Sequence, residues 1–179
     1  PYYQDYLERF GFLPARADNL AFAVDITQDT KALRQLATLA GRVRERKQIV
    51  VRTANMDDWD NEVDRGYSLI NVALAHLDGH MAWHHDALEG LLAPFRDLAD
   101  PELILFADVD GQAVGFFPGI ANWNEALIHA NGLRHPWDYL RLWRRSRQQP
   151  ECLAIKSVLV LPEYWNTGVA VLLFDEMIQ

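Results

Sequence analysis

Hydrophobic positions along this chain switch repeatedly between a period near 3.6 and short unbroken or alternating runs. Helical spacing covers residues 2–10, with Gly11 placed as a left-handed stop. A second helical stretch runs over 27–46, with Leu33, Leu36, Ala37, Ala40 and Val43 on one stripe and Asp29 or Thr30 able to cap its start. A third follows Asp57 and Asp58 to about residue 77, with Trp59, Val63, Tyr67, Ile70 and Leu74 along one side. A fourth begins at His84-His85-Asp86, turns Leu88, Leu91, Leu92 and Phe95 inward, and is expected to kink at Pro94. Strands are predicted at 20–26, at 48–53 with Arg52 outward, at 102–107 and at 112–120. Asp110-Gly111 joins the last two and carries the strongest hairpin signal in the chain.

Beyond the hairpin, Asn122 and Glu125 have capping-box spacing for a helix over 123–131, stopped by Gly132. Pro136 suits the first turn of the next helix, where Trp137, Leu140 and Trp143 are expected to face the core and the arginines to face out. Residues 148–151 read as a linker. The chain then closes on Ser157 to Met177, SVLVLPEYWNTGVAVLLFDEM, which reads as a strand stopped by Pro162, a tight turn and a helix. A strand that turns sharply into a helix leaves backbone N–H groups aimed at one spot, which suits a phosphate or pyrophosphate. Gly168 would let such a ligand approach the backbone, although many buried units of this shape bind nothing.

The length of 179 residues suits one domain or slightly more, with half the residues hydrophobic. A net charge of −8 argues against nucleic acid as the main partner, despite the basic runs 42–47 and 141–147. Both runs read first as solvated helix faces. The single cysteine, Cys152, excludes an intrachain disulfide and fits a reducing, cytoplasmic setting. No apolar run is long enough to span a bilayer, so no membrane partner is expected. His76, His80 and His84 fall four apart, as metal ligands on one helix would, but Gly79 interrupts them. They read as loop histidines, and no metal is expected.

The closing stretch resembles the coenzyme A motif of the GNAT superfamily of N-acetyltransferases. There a strand ends in Val-x-Pro, and a loop carries Gln/Arg-x-x-Gly-x-Gly/Ala into a helix. Val160-Leu161-Pro162, Gly168 and Ala170 match, while Trp165 stands where Gln or Arg is usual. The resemblance implies an α+β fold: a mixed, largely antiparallel sheet flanked by helices. It implies acetyl-coenzyme A as co-substrate, with Asn166, Thr167, Gly168, Val169 and Ala170 at the pyrophosphate. Val158, Leu159 and Val160 would pair with the pantetheine arm. The segment from the hairpin through FFPGIANWNEALIHANG also resembles a subgroup with two GNAT-like halves. On that reading residues 1–46 close a preceding unit and add a connector helix. Residues 47–179 form a GNAT-like domain that lacks its last strands, since the chain starts without methionine and stops within its last helix pattern.

The activity implied is acyl transfer from acyl-coenzyme A to a small-molecule or peptide amine by direct attack on the thioester. Such transfer needs a base for the ammonium proton and donors for the thioester oxygen. Glu125 and Glu163 are candidate bases, and Tyr6 lies near the family's general-acid position, one residue out of phase. A degenerate GNAT-like module used for binding is the alternative, supported by Trp165 and predicting a cleft filled by its ring. An unrelated α+β protein, in which the motif strand is not central, is a third reading. An unpaired motif strand would also offer an edge for homodimer pairing.

Overall fold

Asp110 and Gly111 both take positive φ, 51° and 78°, the pair of left-handed residues that a two-residue hairpin turn requires. They join β2 (Ile104–Val109) to β3 (Gln112–Ala121), and this hairpin is the centre of the sheet. In the computed structural model the described residues are 2–13, 22–46, 48–93, 96, 99–148, 150–155 and 157–179, with backbone alone at 46. β1 (Ile49–Thr53) pairs with β2, while β4 (Leu153–Ile155) and β5 (Leu159–Val160) both pair with β3. Every one of these pairings is antiparallel. The sheet is open and flanked by helices, as the sequence predicts for an α+β fold.

Alternate residues of a strand face opposite sides. On one side Gly115 lies under Val169 and Leu173 of α7 (Val169–Ile178). On the other Phe116 meets Gly66 of α3 (Trp59–Leu74). The core between sheet and α7 holds Phe117, Val169 and Leu173, while Phe106, stacked on Phe116, is buried on the α3 face; all four are essentially without exposure. Phe117 meets Phe174 edge to face, with centroids 5.3 Å apart.

Two compact units divide the chain, Pro1–Thr30 and Lys31–Gln179. The first contains α1 (Tyr3–Arg9), which ends at Gly11 with φ 87°. There Phe12 N–H donates to Leu7 C=O at 3.1 Å and Gly11 N–H to Glu8 C=O at 3.0 Å, a Schellman ending. Residues 22–26 of the expected strand 20–26 carry no strand, and the remainder lies outside the described residues. The helix expected from 27 starts at Lys31, as α2 (Lys31–Arg46). The contact boundary falls at 30/31, so α2 groups with the residues that follow it. The reason is its packing against α7: Val43 covers Gly168, and Arg44 bridges to Asp175 at 2.6 Å and Glu176 at 2.8 Å.

Other differences concern which face is inward. Arg52 is not outward; it donates to Glu62 at 2.7 Å and Asp108 at 2.8 Å, and lies over the Phe106 ring. α3 stops at Leu74 and buries Glu62, Val63, Gly66, Leu69 and Ala73. α4 (His85–Leu92) buries Leu88; Pro94 and Phe95, for which a kink and inward packing were expected, lie outside the described residues. A turn at Pro101–Leu103 takes the first residues of the strand expected at 102–107. α5 spans only Asn124–Leu127, and its first turn has no side-chain cap. The capping box forms instead between His135 and Asp138 at the start of α6 (Pro136–Ser146). That box draws Asp138 inward, so Trp137, Leu140 and Trp143 are exposed rather than core-facing.

α4 is clipped to α3 by His85 Nε2 and Asp64. The Asp64 hydrogen bond, opposed by burial and helped by the charges of Asp64, Glu89 and Asp86, raises His85 above its ordinary pKa of 6.5. The ring also meets Tyr67 edge to face. A raised histidine stabilises the folded state fully below the unfolded value and loses that contribution as pH rises through the folded one. An NMR titration should therefore place His85 above 6.5, and Asp64→Asn should bring it back. Titration at the ordinary value in the unmodified chain would remove the clip from the account.

Candidate functional site

The final strand is broken in two, and the break has a cause in β3. Leu161 N–H donates to Val114 C=O and Asn122 N–H to Cys152 C=O, so the even-numbered residues of β3 bond toward the final strand. Pro118 is one of them and has no N–H to offer. Ile155 faces Gly119 and Leu159 faces Phe116, so the final strand carries one residue more than β3 between these pairs, a bulge beside Pro118. The expected strand over 157–161 therefore reduces to the two paired residues of β5. Beyond it a turn at Pro162–Tyr164 leads to Asn166 and Gly168, both at positive φ, 62° and 98°, and into α7.

These elements enclose a cleft of about 550 Å³ with the C-terminal end of α3. Its lining includes Val158, Leu159, Val160, Asn166, Gly168, Val169 and Ala170. Of the residues expected to hold a coenzyme, only Thr167 is outside the lining; its hydroxyl donates to Tyr164 C=O at 2.6 Å. Leu172 N–H makes the first helical bond of α7, to Gly168 C=O at 3.0 Å. The amides of Val169, Ala170 and Val171 precede it in the first turn, where a helix supplies no acceptor. Ala170 is exposed and lines the cleft, so the start of α7 is open to the cleft on that side.

Val43 and Trp165 both shape this region. Val43 occupies the space where a Cβ on Gly168 would lie, at 2.6 Å, so the close approach at this glycine belongs to α2 rather than to a ligand. Trp165 donates from Nε1 to Val160 C=O at 3.0 Å and packs edge to face on His76. Val160 pairs opposite Gly115, an odd-numbered residue, so its carbonyl turns to the open edge of β5. The indole thus occupies an open-edge carbonyl of β5. His76, read from sequence as a loop histidine, lines the cleft; its position beside the last turn of α3 is the signal that could have found it.

The remaining candidates lie elsewhere. Glu125 accepts from the amides of Glu151 at 2.8 Å and Cys152 at 3.0 Å, pinning the linker before β4. The Glu151 amide above all holds its carboxyl below the usual range; burial opposes this, and Cys152 and Asn122 add to it. The same carboxylate, first by hydrogen bond and then by charge, pushes the Cys152 thiol up, away from the thiolate a nucleophile needs. Glu163 is exposed on the turn after β5, and Tyr6 belongs to the first unit. Among the described residues no group of His, Cys, Asp and Glu closes into a metal-ligand set. No helix among them is long and apolar enough to cross a membrane.

An antiparallel sheet whose final strand turns through Pro162 and Gly168 into a helix, with an open cleft at that turn, is the architecture of a GNAT domain. Residues 73–179 match the profile of the Acetyltransferase (GNAT) family, and the chain belongs to that family. It is 26% identical over 139 residues to the Bacterial ceramide synthase of Caulobacter vibrioides, covering 77% of this chain and 35% of that protein. It is 25% identical over 145 residues to Protein YghO of Escherichia coli, covering 80% of this chain and 36% of that one. The chain thus spans about a third of the length of these two relatives.

Proposed function

We propose that this chain carries the coenzyme-binding part of an acyl-coenzyme A-dependent N-acyltransferase. The supporting observation is the cleft itself: residues chosen from the motif alone line one open space at the start of α7. Its size falls within the range of about 300–1,000 Å³ usual for small-molecule sites. The first-turn amides of α7 and its positive end would hold the pyrophosphate. The open edge of β5 would pair with the pantetheine arm. The thioester would then lie at the bulge beside Pro118, where the backbone of the final strand is released from β3.

Transfer requires an amine that has lost its proton. Its nitrogen forms the new C–N bond, the C–S bond breaks, and the coenzyme leaves as its thiol. Glu125 and Glu163 stand outside the cleft lining, so we place the proton acceptor on the acyl acceptor's side of the fold rather than on either. A ceramide is itself an amide, so the name of the Caulobacter relative agrees with amide formation. The acceptor class is an amine, small or peptide-borne.

A degenerate binding module is the second reading, favoured by the Trp165 indole on the Val160 carbonyl. Calorimetric titration with acetyl-coenzyme A separates the two. The control variant is Ala170→Glu, since Ala170 is exposed and adds a charge where the pyrophosphate would lie. A glutamate in a first helical turn favours the helix by about 0.3–1 kcal/mol, so folding should be kept. Binding should weaken by at least about tenfold through charge repulsion. Equal binding by both proteins would move the coenzyme away from this turn, and no binding by either would favour the degenerate module.

A further inference from the structure

We propose that an apolar chamber beside the cleft receives the acyl chain of a long-chain acyl thioester. This rests on the reading of the cleft as the coenzyme site. The chamber has a volume of about 340 Å³ and lies between α3, α4 and the far half of β3. Val63, Ile70, Leu88, Leu92 and Phe116 are among its walls. Its two acidic lining residues are both engaged: Glu62 with Arg52, and Asp100 with the Glu102 amide. The chamber therefore offers a hydrocarbon apolar surface and offers a polar head group very little.

Its position selects the occupant. α3 walls both spaces: Ile70 lines the chamber and Ala73 lines the cleft. Three residues of helix separate them, about 4.5 Å along the axis. β3 contributes Pro118 to the chamber wall, and Pro118 stands beside the bulge of the final strand. Val158, on the far side of the bulge, lines the cleft. The two spaces approach each other at the bulge, where the thioester is placed. A chain attached to the thioester carbonyl begins where the chamber begins. The tail of an amine would have to come from another direction.

Gly66 keeps part of this space open. It lines the chamber, and a Cβ there would meet only the Phe116 ring, at 3.6 Å, an ordinary contact. Gly66→Leu would fill the chamber from a helical position where leucine is a better helix former than glycine.

The test is binding of acetyl-, octanoyl-, dodecanoyl- and palmitoyl-coenzyme A below their micelle concentrations, by calorimetry and tryptophan fluorescence. Trp59 and Trp123 line the chamber and serve as reporters. Affinity should rise with chain length, by about tenfold or more between the shortest and a chain that fills the chamber, and then level off. Gly66→Leu should remove that rise and leave acetyl-coenzyme A binding unchanged. If the variant fails to fold, the chain-length series on the unmodified protein still decides. Equal affinity along the series would overturn the chamber proposal alone, whereas loss of all coenzyme binding would overturn the cleft reading as well. If dodecylamine bound in the chamber and Gly66→Leu blocked it without affecting palmitoyl-coenzyme A, the chamber would belong to the acceptor and the proposal would fall.

Discussion

Replacing Arg52 with methionine should cost about 3 kcal/mol of stability or more, read from the midpoint and slope of urea unfolding. Arg52 joins three elements. It sits on β1, donates to Asp108 on β2 and to Glu62 on α3, and lies 5.0 Å from the centre of the Phe106 ring. Burial works against its charge, but the hydrogen bonds it donates to Glu62 and Asp108 outweigh this and raise its pKa. Glu62 has a side chain only 5% exposed. Without Arg52 it would keep Arg65 at 3.2 Å and the weak contact from the Asn55 amide at 3.3 Å. Breaking a buried pair from one side typically costs about 3–5 kcal/mol, and the remaining Arg65 contact puts this case at the lower end. Adding Glu62→Leu should recover part of the loss, because it removes the stranded carboxylate. A loss below about 1 kcal/mol would show that the pair behaves as a surface salt bridge.

Gly115→Val should be of similar size and should also abolish coenzyme binding. A Cβ at residue 115 would lie 2.6 Å from Val169 Cγ1, 3.1 Å from Leu173 Cδ1 and 3.2 Å from Ala107 Cβ. These neighbours are all buried, and no flexible chain end can yield. Overpacking of this kind costs about 1–3 kcal/mol, and the branched side chain takes the prediction to the upper end. Relief requires α7 to lift from the sheet, which moves the first-turn amides away from β5. Retained binding with unchanged stability would mean that α7 is not seated on Gly115 as described.

How much of this was legible in the sequence depended on the kind of signal. Asp110-Gly111 specifies its turn by backbone conformation alone, so the hairpin and the central sheet followed. The closing motif worked for the same reason: Pro162 stops the strand, and Gly168 supplies a positive φ that side chains rarely adopt. Facing was harder. The buried stripe of α3 runs through Glu62, Gly66, Leu69 and Ala73, so a charge and small residues occupy positions where periodicity looks for large apolar groups. Arg52 read as outward because its partners lie ten and fifty-six residues away. Trp137 and Trp143 read as core because tryptophan usually is, but the Asp138 cap sets the rotation of α6. The bulge was in principle readable, since a proline inside a long central strand marks a place where pairing must fail. The Val43 contact on Gly168 was not, because nothing local pairs residues so far apart in the chain.

The central claim is that the coenzyme lies on the turn between β5 and α7. The most direct measurement is a nitrogen–proton NMR titration with coenzyme A, following the backbone amides and the indole N–H of Trp165. The largest shifts are expected at Val158, Val160 and Gly168 to Val171, with the Trp165 signal moving as its bond to Val160 is exchanged for one to the ligand. Shifts confined to other parts of the chain, or none at saturating coenzyme, would contradict it.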